Sequence, residues 1–490
     1  MIRFSHGGAS RVLMVTSEAV PYAKTGGLAD AVTALSDALC ARGHDIRIVL
    51  PRYYFTDRRK LYLSVSDLEV EFAGETRMAA VYETQVGKNG VPCFFVDHED
   101  FFGRDGVYGT KTRDYPDNHK RFAFLAKAAV ALCSRLGWKP HVLHSHDWPA
   151  ALVPMVARLD EFLADAKTVL SIHNLAFQGV YPPKAVEESG LPWHLFLRSG
   201  VPHGDMLSFL RAGLVYADGV TTVSPNYAAE ILTPEFGCGL DSLLRRRSPD
   251  IRGILNGADY HEWNPETDVR IFRTYGLASL EEKAVNKSML RKMLGLPEDP
   301  ALPLFVYVSR LTHQKGIEEL FQPAVGCAAG LLARLPMQLA VLGVGERWCE
   351  QELSKLAARY ENLSVTIAFD ETLAHRFYAA ADFLLMPSIF EPCGLNQLYA
   401  LRYGTIPVVT PTGGLLDTVV PYDADMATGF VAPDRSSRGI AAAVESAVEV
   451  YSASPETIDS MRRRGMEQRF SWDVAASEYE ALYGELAERP

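Results

Sequence analysis

Short, mainly apolar runs alternate along the chain with segments in which apolar residues recur every three or four positions. The runs of the first half are RVLMVTSE, HDIRIVLP, HVLHSH, TVLSIHN and GVTTVS. A second series consists of PLFVYVSRL, QLAVLGVGE, SVTIAF, ADFLLMPS and TIPVVT. Short runs of this kind predict buried strands, and the amphipathic segments between them predict helices covering a parallel sheet.

A polar stretch without periodicity, GILNGADYHEWNPETDVRIF, separates the two series. Its glycines, Asn256 and Pro265 are typical of turns and loops. We therefore predict an α/β fold with two Rossmann-like domains, residues 1–260 and 261–470. The closing segment SWDVAASEYEALYGEL predicts an amphipathic helix over about residues 471–490, which periodicity alone assigns to neither domain.

Composition narrows the class of protein. A net charge of −11 lacks the basic excess that binding to nucleic acid or to an anionic membrane usually needs. No run of about 18 to 20 uncharged apolar residues is present, and the N-terminus does not resemble a signal peptide, so we expect a cytoplasmic protein. The seven cysteines form no C-x-x-C pair, which predicts reduced thiols and no metal site.

The motif Thr-Gly-Gly-Leu-x-Asp occurs twice, in KTGGLADAV from Lys24 and in TGGLLDTVV from Thr412. After the first copy, apolar residues recur at helical spacing until Gly43, which places the glycines at a helix N-terminus. The free N–H groups and partial positive charge of such an end suit a phosphate. A tight strand-to-helix turn would explain either copy alone, but two copies, one in each predicted domain, favour a ligand held between the domains.

Charged residues follow two predicted strands of the second domain. Arg310 and Lys315 lie on the segment leaving the strand of PLFVYVSRL, where two cations suit a diphosphate; without the surrounding context, surface charges paired with Glu318 or Glu319 would be the default interpretation. Glu391 follows ADFLLMPS. It could bind a ligand or cap the next helix.

In the first domain, His144, His146 and Asp147 end one predicted strand, and His173 and Asn174 end another. The histidines lack the helical spacing of an H-E-x-x-H motif, and no third ligand is in register, so we expect no metal site here. Asp147 precedes Trp-Pro and could serve only as a helix start.

These segments resemble the starch synthase-like family of retaining glycosyltransferases, which includes the bacterial glycogen synthases. The resemblance covers nearly the whole chain, and its motifs are KTGGLAD, HSHDW, IHNLAFQG, SFLRAGLVYAD, VSPNYA, ILNGAD, SRLTHQKG, FEPCGLNQL and GTIPVVTPTGGLLDTV. It implies a GT-B architecture, in which two Rossmann-like domains face each other across a deep cleft. The C-terminal domain would hold most of the nucleotide sugar, and the last helix would cross back to the first domain.

The resemblance also implies roles for single residues. Arg310 and Lys315 would hold the donor diphosphate, and Glu391 would bind the transferred glucose and support its positive charge. Phe369 aligns with an aromatic residue that stacks on adenine. The remaining donor contacts that it implies are Lys24, Gly26, Gly27, Asn174, Cys393, Gly394, Leu395, Thr412, Gly413 and Gly414.

The implied reaction is transfer of glucose from ADP-glucose to an α-1,4-glucan, with no cofactor. Asp147, His173 and Asn174 would line the glucosyl and acceptor positions. Because Arg310 and Lys315 supply positive charge at the leaving phosphate, the resemblance implies no magnesium. The D-x-D-like sequence at Asp423 lies in a polar stretch, and we expect no metal there either.

The chain departs from the family at four positions. Ile389 and Thr410 stand where arginine is usual, Phe369 where tyrosine is, and Pro202 where glutamate is common, so fewer donor or acceptor contacts are expected. Tyr399 replaces the second glutamate of an E-x7-E pattern, as in bacterial members, which argues against the UDP-glucose-dependent eukaryotic type.

Two other functions remain open from the sequence. The first is a related transferase with another acceptor, such as glucose 1-phosphate, against which the K-T-G-G motif argues. The second is a silent glucan- or nucleotide-binding regulator. The joint presence of Lys24, His173, Arg310, Lys315 and Glu391 argues against that function.

Overall fold

The chain folds into two compact units. A computed structural model describes residues 9–110, 113–194, 202–203, 206–423 and 425–489. The first unit extends to Gly257 and resumes at Trp472, whereas the second unit is Ala258–Ser471. The sequence-based boundary at residue 260 therefore lies at the start of the second unit, and the C-terminal helix belongs to the first. Within the described residues, no helix is long and apolar enough to cross a membrane.

The first unit contains a nine-stranded sheet and a small three-stranded sheet. In the large sheet the order is β12-β11-β7-β6-β1-β2-β5-β4-β3, and in the small sheet it is β8-β10-β9. The strands are β1 (Arg11–Val15), β2 (Asp45–Pro51), β3 (Tyr62–Phe72), β4 (Glu75–Val86), β5 (Val91–Asp97), β6 (Val142–His146), β7 (Lys167–Ile172), β8 (Val180–Tyr181), β9 (Pro202–His203), β10 (Met206–Ser208), β11 (Gly219–Thr222) and β12 (Ile251–Gly253). From β12 to β5 the pairing is parallel, and β4 and β3 extend the sheet in antiparallel fashion.

The five predicted runs of this unit coincide with β1, β2, β6, β7 and β11. The hairpin β3–β4 was not predicted because its residues alternate between exposed and buried positions and form no apolar run. Strand β5, VPCFFVD, is almost fully buried, but it was not among the predicted runs.

Helices cover both faces of this sheet. Alternate residues of β1 lie in two separate cores, with Val12 and Met14 in one and Leu13 and Val15 in the other. The α-helices are Gly27–Ala41, Glu99–Phe102, Asn118–Arg135, Asp147–Ala150, Val153–Ala157, Ala185–Glu188, Phe209–Tyr216, Pro225–Glu230, Asp241–Arg247 and Trp472–Glu488. Single 3-10 turns occur at Arg58–Lys60, Glu161–Leu163 and Ser248–Asp250.

The second unit contains one parallel sheet with the order β15-β14-β13-β16-β17-β18. Its strands are β13 (Leu304–Val308), β14 (Gln338–Leu342), β15 (Leu363–Thr366), β16 (Phe383–Met386), β17 (Ile406–Val409) and β18 (Phe430–Val431). Counted within the unit, this is the 3-2-1-4-5-6 order of a Rossmann fold. The first five strands were predicted, and β18 was missed because it is only two residues long.

This sheet is also covered on both faces. Leu304 and Val306 of β13 lie in one core, and Phe305 and Tyr307 lie in the other. The α-helices are Lys283–Leu294, Ile317–Phe321, Ala328–Arg334, Arg347–Arg359, Glu371–Ala380, Asn396–Arg402, Gly413–Thr418, Ser437–Ala453 and Pro455–Glu467. The 3-10 helices are Leu277–Glu282 and His313–Lys315.

In each sheet, the strands that follow the first one along the chain are added on one side of it, and later strands are added on its other side. In the first unit this switch point lies between β1 and β6, and in the second it lies between β13 and β16. In open parallel sheets, ligands bind beyond the carboxyl ends of the strands at such a point. The topology therefore locates one candidate region in each unit.

The C-terminal helix Trp472–Glu488 is built into the core of the first unit. Trp472, Leu482 and Leu486 are buried in the core that contains Val12 and Met14. At its surface, Arg42 pairs with Asp473 at 2.9 Å and with Glu480 at 2.7 Å. Burial of the apolar face, more than these partly exposed ion pairs, holds the helix in place.

Leu482→Ala is expected to lower the free energy of unfolding of the first unit by about 2 to 5 kcal/mol, because it empties a core position that is 3% exposed. Val474→Ala is the matched control, since Val474 lies on the same helix but is 53% exposed. Urea denaturation of both variants measures the difference. Equal stability of the two variants would show that the helix does not depend on its buried face.

Candidate functional site

The switch point of the second unit holds a buried ion pair. Lys315, in the loop after β13, contacts the carboxylate of Glu391, in the loop after β16. The Glu391 side chain is 7% exposed and also accepts a hydrogen bond from Ser388 Oγ at 2.9 Å. Glu318, one of the alternative partners considered for Lys315, lies instead 3.2 Å from His313. The interpretation of Lys315 as a solvated surface charge is therefore wrong.

Two other predicted residues of this unit are exposed. Arg310 lies beyond the end of β13, and within the described residues its side chain makes no hydrogen bond or ion pair. Phe369 lies just before the helix Glu371–Ala380, and 84% of its surface is exposed. A cation and an aromatic ring are thus both presented to solvent by the second unit.

The second Thr-Gly-Gly copy packs directly against the loop that carries Glu391. Gly413 has φ +46°, and a Cβ there would lie 1.9 Å from the carbonyl oxygen of Glu391. A Cβ on Gly414 would lie 2.2 Å from the carbonyl oxygen of Cys393. These glycines are required for close approach of two backbone segments.

The expected role of Gly414 needs correction. Its N–H donates to the carbonyl oxygen of Glu391 at 3.0 Å and is therefore not free for a phosphate. Thr412, whose side chain is fully buried, is the residue preceding the helix Gly413–Thr418. In this structure the second copy shapes the Glu391 loop.

The segment from Glu391 to Leu395 is a tight turn. Gln397 Nε2 donates to the carbonyl oxygens of Cys393 at 2.9 Å and Gly394 at 3.0 Å, and Gly394 has φ +74°. The helix that follows begins at Asn396, with Leu395 as its N-cap residue. The alternative that Glu391 caps this helix is therefore wrong.

Thr410 and Ile389, which stand where the family usually has arginine, both take part in hydrogen bonds within the second unit. Thr410 is buried and its hydroxyl donates to the carbonyl oxygen of Ser388 at 2.5 Å. The carbonyl oxygen of Ile389 accepts a hydrogen bond from Arg435 Nη1 at 3.0 Å. A guanidinium thus reaches the Glu391 loop from a different position in the sequence.

In the first unit, Asp147 joins the ends of β6 and β7. It has φ +56°, and its Oδ1 accepts the N–H groups of His173 at 2.7 Å and Asn174 at 3.2 Å. Asp147 begins the short helix Asp147–Ala150, as predicted, but its carboxylate bonds to another loop. Burial raises the pKa of Asp147 to about 7, although these two hydrogen bonds lower it.

Three histidines lie at the ends of β6 and β7 with Asp147; His144 and His146 are buried, and His173 is half-buried. The rings of His146 and His173 are linked, with Nδ1 of the first 3.1 Å from Nε2 of the second. His144 contacts Tyr483 at 2.8 Å and Ser171 at 2.6 Å. Burial lowers the pKa of His173 to about 4 and that of His144 to about 3, so both rings are neutral near pH 7.

The first Thr-Gly-Gly copy is open. Lys24 pairs with Asp30 at 2.8 Å, with side-chain exposures of 40% and 31%. Gly26 and Gly27 begin the helix Gly27–Ala41, with Gly26 as N-cap. A Cβ on Gly26 would meet no described atom within 4 Å. The exposed positions of Lys24 and Gly27, and the open space beside Gly26, leave room for a ligand at this helix start.

Sequence reasoning missed Glu18, which holds this loop. Glu18 is 2% exposed, and it accepts both the N–H of Thr25 at 2.5 Å and the Thr25 hydroxyl at 2.7 Å. Tyr108 donates to the same carboxylate at 2.5 Å. The only signal in the sequence was a glutamate at the end of the run RVLMVTSE, three residues after β1.

Two smaller expectations concern residues that are only partly described. The side chain of Pro202, where the family commonly has glutamate, lies outside the described residues. Asp423 and Asp425 are exposed in the loop before β18, as their polar surroundings predicted, whereas Ala424 between them lies outside the described residues.

Each of the two candidate regions lies within a segment of the chain that matches a known family. A family model for the starch synthase catalytic domain matches residues 11–246, and one for group 1 glycosyl transferases matches residues 289–465. A curated glycogen synthase of Treponema denticola is 44% identical over 98% of this chain and 99% of its own length. The chain belongs to the glycogen synthase family. It is accordingly a glycosyltransferase with a two-domain GT-B-like fold.

Further relatives extend this result. Glycogen synthase of Anaeromyxobacter sp. strain Fw109-5 is 46% identical over 97% of this chain and 99% of its own length. The solved catalytic domain of starch synthase IV from Arabidopsis thaliana, bound to ADP and acarbose, matches with TM-score 0.88 and 31% identity, covering 98% of this chain and 100% of that one. Sucrose-phosphate synthase of Thermosynechococcus elongatus, 19% identical with TM-score 0.59 over 97% of this chain and 98% of its own, shares the fold.

Asp147→Asn tests the raised pKa in this glycogen synthase family member. A folded-state pKa of about 7, above the ordinary 3.8, means that the folded protein binds more protons than the unfolded chain between these values. The wild-type free energy of unfolding therefore falls as pH rises through this window. Asparagine tolerates positive φ and does not titrate. The free energy of unfolding of the variant, relative to that of the wild type, should therefore increase by about 1.4 kcal/mol for each unit of pH between these values, to about 4 kcal/mol in all.

Urea denaturation at pH 4 to 8 measures this difference between wild type and variant. Asp425→Asn, which removes an exposed carboxylate of the second unit, controls for the loss of one negative charge. A difference for Asp147→Asn that does not change with pH would contradict the assignment.

Proposed function

We propose that this protein transfers glucose from ADP-glucose to the non-reducing end of an α-1,4-glucan, with retention of the anomeric configuration. Membership of the glycogen synthase family supports this reaction, and so does the buried Lys315–Glu391 pair at the switch point of the second unit. We propose a cytoplasmic location because all seven cysteines are free thiols, the form that a reducing compartment maintains.

The Lys315–Glu391 pair is the observation on which the proposal rests. Breaking a bond between a sugar and a diphosphate leaves positive charge on the sugar and negative charge on the leaving phosphate. An adjacent cation and carboxylate stabilise both charges if Lys315 contacts the phosphate and Glu391 the glucose. The pair exists before substrate binds, so little reorganisation is needed during the reaction.

Arg310 supplies the second cation of the proposed diphosphate site. Its side chain is exposed and unpaired among the described residues, which leaves its five donors available for phosphate oxygens. Lys24, Gly26 and Gly27 of the first unit, and the Cys393–Leu395 turn and Thr412–Gly414 of the second, are proposed as further donor contacts. Gly413 and Gly414 also place the Glu391 loop, since a Cβ on either would collide with a carbonyl oxygen of that loop.

Asp147, His173 and Asn174 are proposed to contact the glucosyl group and the acceptor. The Asp147 carboxylate fixes the backbone of the other two residues. His173 is neutral near pH 7 and its Nε2 is engaged by His146, which leaves Nδ1 for a sugar hydroxyl.

The function is tested by incubating the purified protein with radiolabelled ADP-glucose or UDP-glucose and either glycogen or glucose 1-phosphate. Incorporation of label into glycogen from ADP-glucose is the expected result. Transfer to glucose 1-phosphate alone would favour the related transferase, and no transfer to either acceptor would favour a binding protein. Digestion of the labelled glycogen with an α-1,4-specific enzyme determines the linkage.

Arg310→Ala should lower kcat about 100-fold to 1000-fold, because loss of one charge-stabilising donor costs about 3 to 4 kcal/mol in the transition state. Folding should be unaffected, since the side chain has no described partner to lose. Lys315→Ala should lower kcat similarly, but it also leaves Glu391 buried without its partner and should destabilise the protein. Arg438→Ala, an exposed arginine of the same unit, is the control. Unchanged turnover of Arg310→Ala would remove this residue from the site.

ADP-glucose should be preferred to UDP-glucose. The exposed ring of Phe369 can stack on the base, and a purine offers more area than a pyrimidine; such a contact contributes on the order of 1 kcal/mol, or several-fold in kcat/KM. Phe369→Ala should raise KM for ADP-glucose and narrow the difference between donors. Val269→Ala is the control because Val269 is also highly exposed, at 92%. Equal kcat/KM for both donors in the wild type would contradict the proposed stacking of the base on Phe369.

A further inference from the structure

Two glutamates and a histidine of the second unit come together away from the residues assigned to glucosyl transfer. One carboxylate oxygen of Glu262, one of Glu371 and a ring nitrogen of His375 lie within 4.8 Å of one another. Glu371 and His375 are four residues apart on the helix Glu371–Ala380, which puts them on one face. Glu262 comes from the segment at the start of the unit.

The histidine is held in one orientation and one tautomer. Its ring is fully buried and stacks on Trp263 with centroids 3.8 Å apart. Nδ1 lies 2.7 Å from Asp268 Oδ2, which also accepts the hydroxyl of Tyr403 at 2.6 Å. A carboxylate oxygen only accepts hydrogen bonds, so Nδ1 is the donor in this contact and the ring nitrogen that carries the proton.

The second ring nitrogen therefore has a lone pair and no donor to satisfy it. Nε2 of His375 is buried, and no hydrogen-bond partner for it exists among the described residues. A buried polar atom without a partner costs about 1 to 3 kcal/mol. A carboxylate bonded to Nδ1 is the arrangement that accompanies a metal-bound Nε2 in many proteins, because it orients the ring and increases its basicity.

We propose that Glu262, Glu371 and His375 Nε2 form a binding site for a divalent transition-metal ion. One imidazole and two carboxylates suit zinc and its neighbours better than calcium or magnesium, which prefer oxygen ligands alone. Glu262 and Glu371 are 42% and 47% exposed, so water can complete the coordination. The metal would tie the start of the helix Glu371–Ala380 to the segment that contains Trp263.

Arg270 pairs with both carboxylates of the proposed site. Its guanidinium lies 2.6 Å from Glu262 and 3.5 Å from Glu371, and its side chain is 32% exposed. Ion pairs at this degree of exposure contribute little to stability, so a dication can displace the guanidinium at small cost. Arg270 is thus a competitor for the two carboxylates, which gives the proposal a directional test.

The probe is Co²⁺ alone, titrated into the full-length protein and followed by calorimetry and visible absorption. The expected result is one ion per chain without a thiolate signal. Glu371→Gln and Glu262→Gln should each weaken Co²⁺ binding at least tenfold, and Arg270→Gln should tighten it several-fold. Saturating Co²⁺ should raise the Tm of the wild type but not that of Glu371→Gln.

The pair Arg334–Glu445 provides matched controls. Its atoms are 3.0 Å apart, and Glu445 is 42% exposed, like Glu262. Glu445→Gln and Arg334→Gln should leave Co²⁺ binding unchanged. Equal affinities of Glu371→Gln and Glu445→Gln, weaker binding by Arg270→Gln, or a thiolate spectrum would each overturn the proposal. All these variants are at partly exposed positions, and His375, which stacks on Trp263, is left intact. The readouts do not depend on glucosyl transfer, so the test is independent of the proposed function.

Discussion

Close approach of backbone segments beyond the strand ends is the constraint on which the second unit depends. A Cβ on Gly316 would lie 2.0 Å from the carbonyl oxygen of Pro387, and one on Gly413 would lie 1.9 Å from that of Glu391. The loops after β13, β16 and β17 are therefore in direct backbone contact. This contact brings Lys315 to Glu391 and encloses their ion pair, whose interaction is strengthened by exclusion of water.

The first unit has the same strand order around its switch point but fixes its loops with carboxylates. Asp147 accepts two N–H groups of the β7 loop, and Glu18 accepts the N–H and the hydroxyl of Thr25 in the β1 loop. Fixing a loop with a buried carboxylate costs more free energy than fixing it with a glycine contact, because the carboxylate must lose its hydration. This loss of hydration raises the pKa of Asp147 to about 7. The two units thus reach similar topologies through different local interactions.

Sequence predicted most of the mainly apolar strands, β5 excepted, and with them the position of the candidate residues. Lys315, Glu391, Asp147 and His173 follow such strands, and parallel strands bring their carboxyl ends to one edge of a sheet. Contacts between distant segments were not predictable in this way. The ion pair of Lys315 with Glu391 was not predicted, and the surface partner considered as an alternative, Glu318, was chosen because it is near in sequence.

The same limit explains why the sequence did not reveal the ligands of the proposed metal site. Glu371 and His375 have helical spacing, but the third ligand, Glu262, lies in a turn at the start of the unit. Their approach depends on the stacking of Trp263 between His375 and Tyr399, with centroids 3.8 Å and 4.0 Å apart. Tyr399 was interpreted only as a missing glutamate. Its stacking role follows from tertiary packing, which no local motif encodes.

The repeated Thr-Gly-Gly motif shows that one sequence can be required for two physical reasons. Gly413 needs a positive φ and close packing, so the fold of the second unit alone accounts for it. Gly26 has an extended backbone, φ −162°, that any residue can adopt, and a side chain there would meet no described atom. Packing within the described residues does not require glycine at position 26. Glycine is also favoured at an N-cap, and there it leaves the backbone open to close approach by a ligand, which makes the first copy the stronger indication of a binding site.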